Sequence, residues 1–288
     1  MANVVTIRRR PPALRRPVLL AAFQGWNDAG EAASGAADTL ASELGAEGFA
    51  EIDPEEFFDF QDTRPFVRSV EDSQRRIEWP GNLFSWASVA GTDRDLILLQ
   101  GTEPNLRWRT FSDAIVHLAQ DLGVELAVTL GALQVDAPHT RAVPVTGSTT
   151  DLVLGAHLGL RPSQYEGPTG ITGVLHQAAT DSGLQATSLW AGVPHYLAGT
   201  SYLAGSLALV ERVVKLLDVQ LPLGDLAKEA ASQREELSEL VKEDADLADY
   251  VTDLERRMDE APDELPAPSV SGEELAADFE RYLRDRDD

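Results

Sequence analysis

Four short apolar runs, at 18–23, 95–100, 124–130 and 186–193, stand out along the chain. Compact runs of this length between polar loops suit strands buried on both faces. Between and after them the apolar positions shift to helical spacing. Segment 30–44 is Ala-rich, with Asp28 available as an N-cap; 109–122 places Phe111, Ile115, Leu118, Ala119 and Leu122 on one face; 170–182 and 202–217 follow the same logic. The alternation predicts an α/β fold, a three-layer core around a mostly parallel sheet. One stretch departs from it. FVRSVEDSQRRIEW, 66–79, alternates on both sides of a polar EDSQ turn and reads as a hairpin inserted in the core.

The pattern changes again at Pro222. From 225 to 264 acids far outnumber bases, and Leu226, Ala230, Leu237, Leu240, Leu247, Val251, Leu254 and Met258 recur on 4,3 spacing. Gln233 and Asp244 are the polar members of that seam. One long amphipathic helix or two are predicted, packed on their own domain rather than in a partner's coiled coil, because polar residues interrupt the seam. PDELPAPSVSG then breaks the pattern, and a last helix is expected over 273–284. The expected division is an α/β core over 1–221 and an acidic helical region over 222–288 that can act as a lid.

Composition narrows the functional classes. With 43% apolar residues in 288, the chain can bury a large core. No apolar stretch approaches the roughly 20 residues of a membrane-spanning helix, and the basic start RRRPPALRRP leads into an apolar run too short for a signal peptide, so no membrane partner is expected. There is no cysteine, which excludes disulfides and thiolate metal sites and leaves the cytoplasm as the default compartment. A formal charge of −24 argues against nucleic acid as a partner. His117, His139, His157, His176 and His195 show no close metal-ligand spacing, so neither metal nor cofactor is expected.

Catalytic signatures are missing: no dinucleotide fingerprint, P-loop, HExxH or GxSxG is present. GPTGITG, 167–173, precedes a helix with amides that can hold an anion, although an ordinary turn and helix start explain Gly170 and its neighbours better. More informative are four polar and aromatic loops, each leaving the end of a predicted strand: QGWND, GTEPNLRWRTF, PHTR and VPHY. In open α/β sheets ligands bind beyond the carboxyl ends of the strands. This makes Trp26, Asn27, Asp28, Glu103, Trp108, His139, Arg141, Gly170 and His195 candidate ligand contacts, on a rim completed by Tyr196. The competing reading is that these residues only shape loops, with Glu103 and Arg141 in structural pairs.

GWNDAGEAASGA, LLLQGTEPNLRWRTF, LGALQVDAPHTRAVPVTG, EGPTGITGVL and SLWAGVPHYLAG, in this order, resemble the proteasome assembly chaperone 2 family in its bacterial and archaeal form, over roughly 15–217. The resemblance implies a core like that of purine nucleoside phosphorylases and related hydrolases, with self-association, commonly as trimers. It also implies an inserted hairpin used in oligomer contacts and a helical C-terminal region over a pocket. Relatives that act as proteasome assembly chaperones can end in a hydrophobic residue, Tyr and one further residue, whereas this sequence reads RYLRDRDD, with Tyr282 inside the last predicted helix. Two functions follow as expectations. One is a non-catalytic assembly or binding protein, a homo-oligomer with proteasome-related partners. The other is a hydrolase or phosphorylase-type enzyme on a small polar substrate, with Glu103 or His139 as acid or base and Arg141 holding an anionic group.

Overall fold

The computed structural model describes residues 4–69, 75–160 and 166–260; the EDSQ turn and the helix expected over 273–284 lie outside them. An eight-stranded mixed sheet runs in the order β1-β3-β6-β7-β2-β8-β10-β9. Its centre is parallel: β7 (Asp95–Thr102), β2 (Val18–Gln24), β8 (Leu126–Val135) and β10 (Gln185–Pro194). These are the four apolar runs of the sequence. On one flank β6 (Asn82–Ser88), β3 (Glu47–Ile52) and β1 (Val5–Ile7) add antiparallel, and on the other β9 (Val145–Thr149) pairs antiparallel with β10. β9 begins four residues after Arg141, so the PHTR loop leads directly from β8 toward it. A separate two-stranded sheet, β4 (Phe66–Ser69) with β5 (Arg75–Glu78), forms the inserted hairpin.

Alternation along each strand divides the core into two layers. Leu20, Leu98, Val128 and Leu189 point to the face packed by α1 (Ala32–Glu43) and α5 (Leu203–Leu217). Leu19, Ile97, Leu99 and Ala127 point to the other, where α2 (Trp108–Asp121) and α4 (Ile171–Asp181) supply Phe111, Ile115, Ile171 and Leu175. With α3 (Leu152–Leu158) beside β9 and α5, this is the three-layer α/β arrangement that the alternation predicts.

The acidic seam folds as two helices, α6 (Gly224–Glu243) and α7 (Ala245–Glu260). Its polar members are the structural joints. The Asp244 carboxylate accepts the Asp246 and Leu247 N–H groups, ending one helix and capping the next. Gln233 reaches across to the start of α5, accepting the Leu203 N–H at 2.9 Å and donating to the Ser201 carbonyl at 2.7 Å. Leu240 departs from the seam and is exposed, while Val241 is buried in its place. A straight helix turns 3.6 residues per turn, so after Leu237 the inward position is four residues on.

Candidate functional site

Because β7, β2, β8 and β10 are parallel, the loops after Thr102, Gln24, Val135 and Pro194 leave the same sheet edge. QGWND, GTEPNLRW, PHTR and VPHY therefore share it, as loops that each follow a strand of one parallel set must. Within that edge the nine candidate residues separate into two clusters.

The first surrounds the start of α4. Glu103 Oε1 accepts the Ile171 N–H at 2.8 Å and Oε2 accepts the Trp26 N–H at 3.1 Å, so the anion at this helix N-terminus is the protein's own carboxylate. Gly170 permits the approach: a Cβ there would lie 2.0 Å from Asn27 Oδ1 and 2.6 Å from Glu103 Oε1. Asn27 is buried; its carbonyl accepts the Ala132 N–H of β8, and its side-chain Oδ1 has no partner among the described residues. Asp28 caps α1 from some distance, accepting from the Ala33 and Ser34 N–H groups and the Ser34 hydroxyl, while its burial raises its pKa. Trp26 is 63% exposed. Trp108 is half-buried, packs with the α2–α4 layer and donates its indole N–H to the Pro104 carbonyl.

The second cluster joins PHTR and VPHY to α6 and α7. His139 is 2% exposed, with Nδ1 2.7 Å from the Tyr196 hydroxyl and Nε2 3.1 Å from Ser238 Oγ of α6. Its backbone N–H donates to the same Tyr196 oxygen, and Ser238 donates to the Arg234 carbonyl. One assignment uses every contact once: the Tyr196 O–H donates to Nδ1, and Nε2–H donates to Ser238. It leaves His139 neutral. Desolvation lowers its pKa, with Glu255 opposing and Arg234 reinforcing that shift. Burial raises the Tyr196 phenol, which stays protonated as the circuit requires.

Beside it, Arg141 donates from Nε and Nη2 to the two Asp259 oxygens at 2.9 and 2.7 Å, and from Nη1 to Glu255 at 3.3 Å. Thr140 also donates to Glu255. His195 stands edge-on to Tyr250 of α7, ring centroids 5.5 Å apart, and its Nδ1 is 3.3 Å from Asp136 without hydrogen-bond alignment. α6 and α7 thus cover PHTR and VPHY. Of the expected rim, Tyr196 lies under this cover, whereas Trp26 projects into solvent and Trp108 belongs to the opposite layer.

Behind the second cluster a groove of 560 Å3 runs between α5, α6 and segment 141–145, with His139 and Arg141 at one end. A larger, open depression of 870 Å3 follows the outward face of α6 and meets only Thr140 of the strand-end loops. It offers no converging chemistry. Among the described residues no group of three or more His, Asp or Glu side chains could hold a metal ion, and no helix is long and apolar enough to cross a membrane.

The sequence reading missed Ser238, Glu255, Asp259 and Tyr250 as partners of the strand-end loops. Each lies about 50 to 120 residues from its loop partner, and only the seam's need for an apolar surface pointed toward them.

The PAC2 family model matches residues 22–241. A PAC2 family protein from Streptomyces avermitilis is 45% identical, with 82% of this chain and 99% of that one covered and a TM-score of 0.76. A proteasome-assembly chaperone homologue from Mycobacterium tuberculosis is 43% identical over 81% of this chain and 99% of its own, with a TM-score of 0.75. An archaeal proteasome activator from Pyrococcus furiosus shares the fold at 20% identity and a TM-score of 0.67, with 82% and 97% covered. Comparison with curated proteins gives no match.

Proposed function

The chain belongs to the PAC2 family, and from that premise we propose that it is a non-catalytic assembly protein of the proteasome-assembly-chaperone kind, working in the cytoplasm as a homo-oligomer, a trimer, through its β4–β5 hairpin. The observation that carries this reading is the hairpin itself. All eight of its strand residues are exposed, and Phe66, Val67, Ile77 and Trp79 are 67%, 61%, 52% and 53% exposed. Three large apolar side chains held on a small separate sheet, with Trp79 directly after its second strand, are unfavourable in water and suit a protein partner. Trp79 is fixed edge-on against Phe60 at 4.7 Å, so the surface is pre-shaped.

The two groups named for catalysis favour the same reading. Both Glu103 oxygens are engaged by backbone N–H groups, and both His139 nitrogens are engaged by Tyr196 and Ser238. Arg141 is neutralised by Asp259 and Glu255 rather than offered to a substrate. A relative at 43% identity that is a proteasome-assembly chaperone homologue makes proteasome subunits the partners to test.

The experiment is capture of the tagged full chain from its native cells, scored for proteasome subunits, alongside the Phe66→Ser, Ile77→Ser form. Proteasome subunits recovered with the parent chain and reduced with the variant support the reading. Recovery of metabolic enzymes without proteasome subunits overturns it.

A further inference from the structure

The groove between α5 and α6 has a charge opposite to that of the rest of the molecule. The chain carries a formal −24, yet Arg141, Arg212, Lys215 and Arg234 line this 560 Å3 space with Glu211 as the single acid. Arg141 and Arg212 are already engaged, the latter by the Leu158 carbonyl. Lys215 and Arg234 form no ion pair among the described residues, although acidic residues are twice as numerous as basic ones. The floor is apolar and built from small side chains, among them Ala204, Ala208, Ala227 and Ala231, so room remains between the two helices. Ala204 to Lys215 spans about 16 Å at 1.5 Å per residue. A cationic rim over a shallow apolar floor fits an acidic peptide bearing apolar side chains on one face.

The chain contains such a peptide. Segment 261–288 has nine acids and three bases. Leu275, Phe279 and Leu283 recur at four-residue intervals within the expected helix 273–284, with Glu273, Glu274, Asp278 and Glu280 among them. Twelve helical residues would span about 18 Å, close to the length of the groove. The point of departure also fits. α7 ends at Glu260, and its Asp259 is bound to Arg141, which itself lines the groove. Attachment at the rim gives the segment a high effective concentration there.

We propose that the α5–α6 groove is the docking site of the chain's own acidic C-terminal segment, 261–288, held by Lys215 and Arg234 with Leu275, Phe279 and Leu283 over the alanine floor.

Absence of cysteine allows a direct test on the full chain. Spin labels placed by Ser232→Cys, on the exposed side of α6, and Glu280→Cys report the distance between segment and groove. The proposal expects one narrow, short distance population at low ionic strength. It should broaden in 1 M salt, where the screening length falls to about 3 Å, and in the Lys215→Glu, Arg234→Glu background. Three results overturn it: a broad distribution in the parent chain, a narrow one unchanged by charge reversal, or a short distance lost on dilution with unlabelled chain, which would place the segment on a second copy.

Discussion

Tyr196→Phe removes a single oxygen and keeps the ring that stands edge-on to His139 and His195. That oxygen serves two groups of a histidine that is 2% exposed, the backbone N–H and ring Nδ1, both at 2.7 Å. A stranded buried polar group costs about 1–3 kcal/mol. Tyr196 is only half-buried, so some water can reach the gap, and the combined loss should be about 2–3 kcal/mol rather than the full sum. For a chain of 288 residues that lowers the melting temperature by roughly 3–5 °C.

The change should also reveal the protonation state. In the parent chain the His139 pKa is lowered from 6.5 by burial, with Arg234 adding to the effect and Glu255 opposing it. A depressed histidine binds fewer protons folded than unfolded. Its stabilising contribution is therefore present above 6.5 and declines as pH falls from there toward the folded value. With Phe at 196 no hydroxyl donates to Nδ1, so protonation is less opposed and the decline is shallower. Urea unfolding at pH 7.5 and 5.5 should show a stability gap that narrows on acidification. A loss below about 0.5 kcal/mol, or a gap that does not change with pH, would refute the neutral hydrogen-bonded circuit.

Further consequences follow from the other joints. Glu103→Gln retains one acceptor oxygen but turns the other position into a donor facing a backbone N–H; about 1–2 kcal/mol should be lost, with amide exchange rising at Trp26 and Ile171. Unchanged exchange at both would remove Glu103 from the architecture of the edge. Gln233→Ala should fray the first turn of α5, costing about 1 kcal/mol and raising exchange at Leu203. Arg141→Met should speed exchange across α7 while leaving β2 and β8 as they were, and added salt should narrow the difference between variant and parent. Equal acceleration in the core strands would mean that Arg141 supports the whole fold rather than the α7 contact.

What the sequence disclosed and what it hid follow from periodicity. The four central strands are covered on both faces and appear as unbroken apolar runs, so their existence and their common edge were legible, though not their order in the sheet. β3 and β6 were not. EGFAEI and NLFSWAS mix buried Phe49 and Phe84 with polar or exposed neighbours, too short a signal to separate from loops. α3 escaped because Leu152 and Val153, its most apolar start, face solvent at 86% and 79% exposure. Gln233 and Asp244 could be recognised as interruptions of a seam but not as caps, since the groups they satisfy belong partly to another helix. The strand-end loops were placed together correctly. Their division into a Glu103 cluster and a His139 cluster depends on which layer each neighbouring helix joins, which no local pattern specifies.

The central claim is that the hairpin surface assembles copies of this chain. Light scattering on the eluting full chain measures it most directly, beside a form lacking residues 68–77. The account predicts a parent mass of about three times the 31.2 kDa chain, and a variant that keeps the circular dichroism of the core while its mass falls to that of one chain. A parent chain that elutes as a monomer, or a deleted form that remains trimeric, would contradict it.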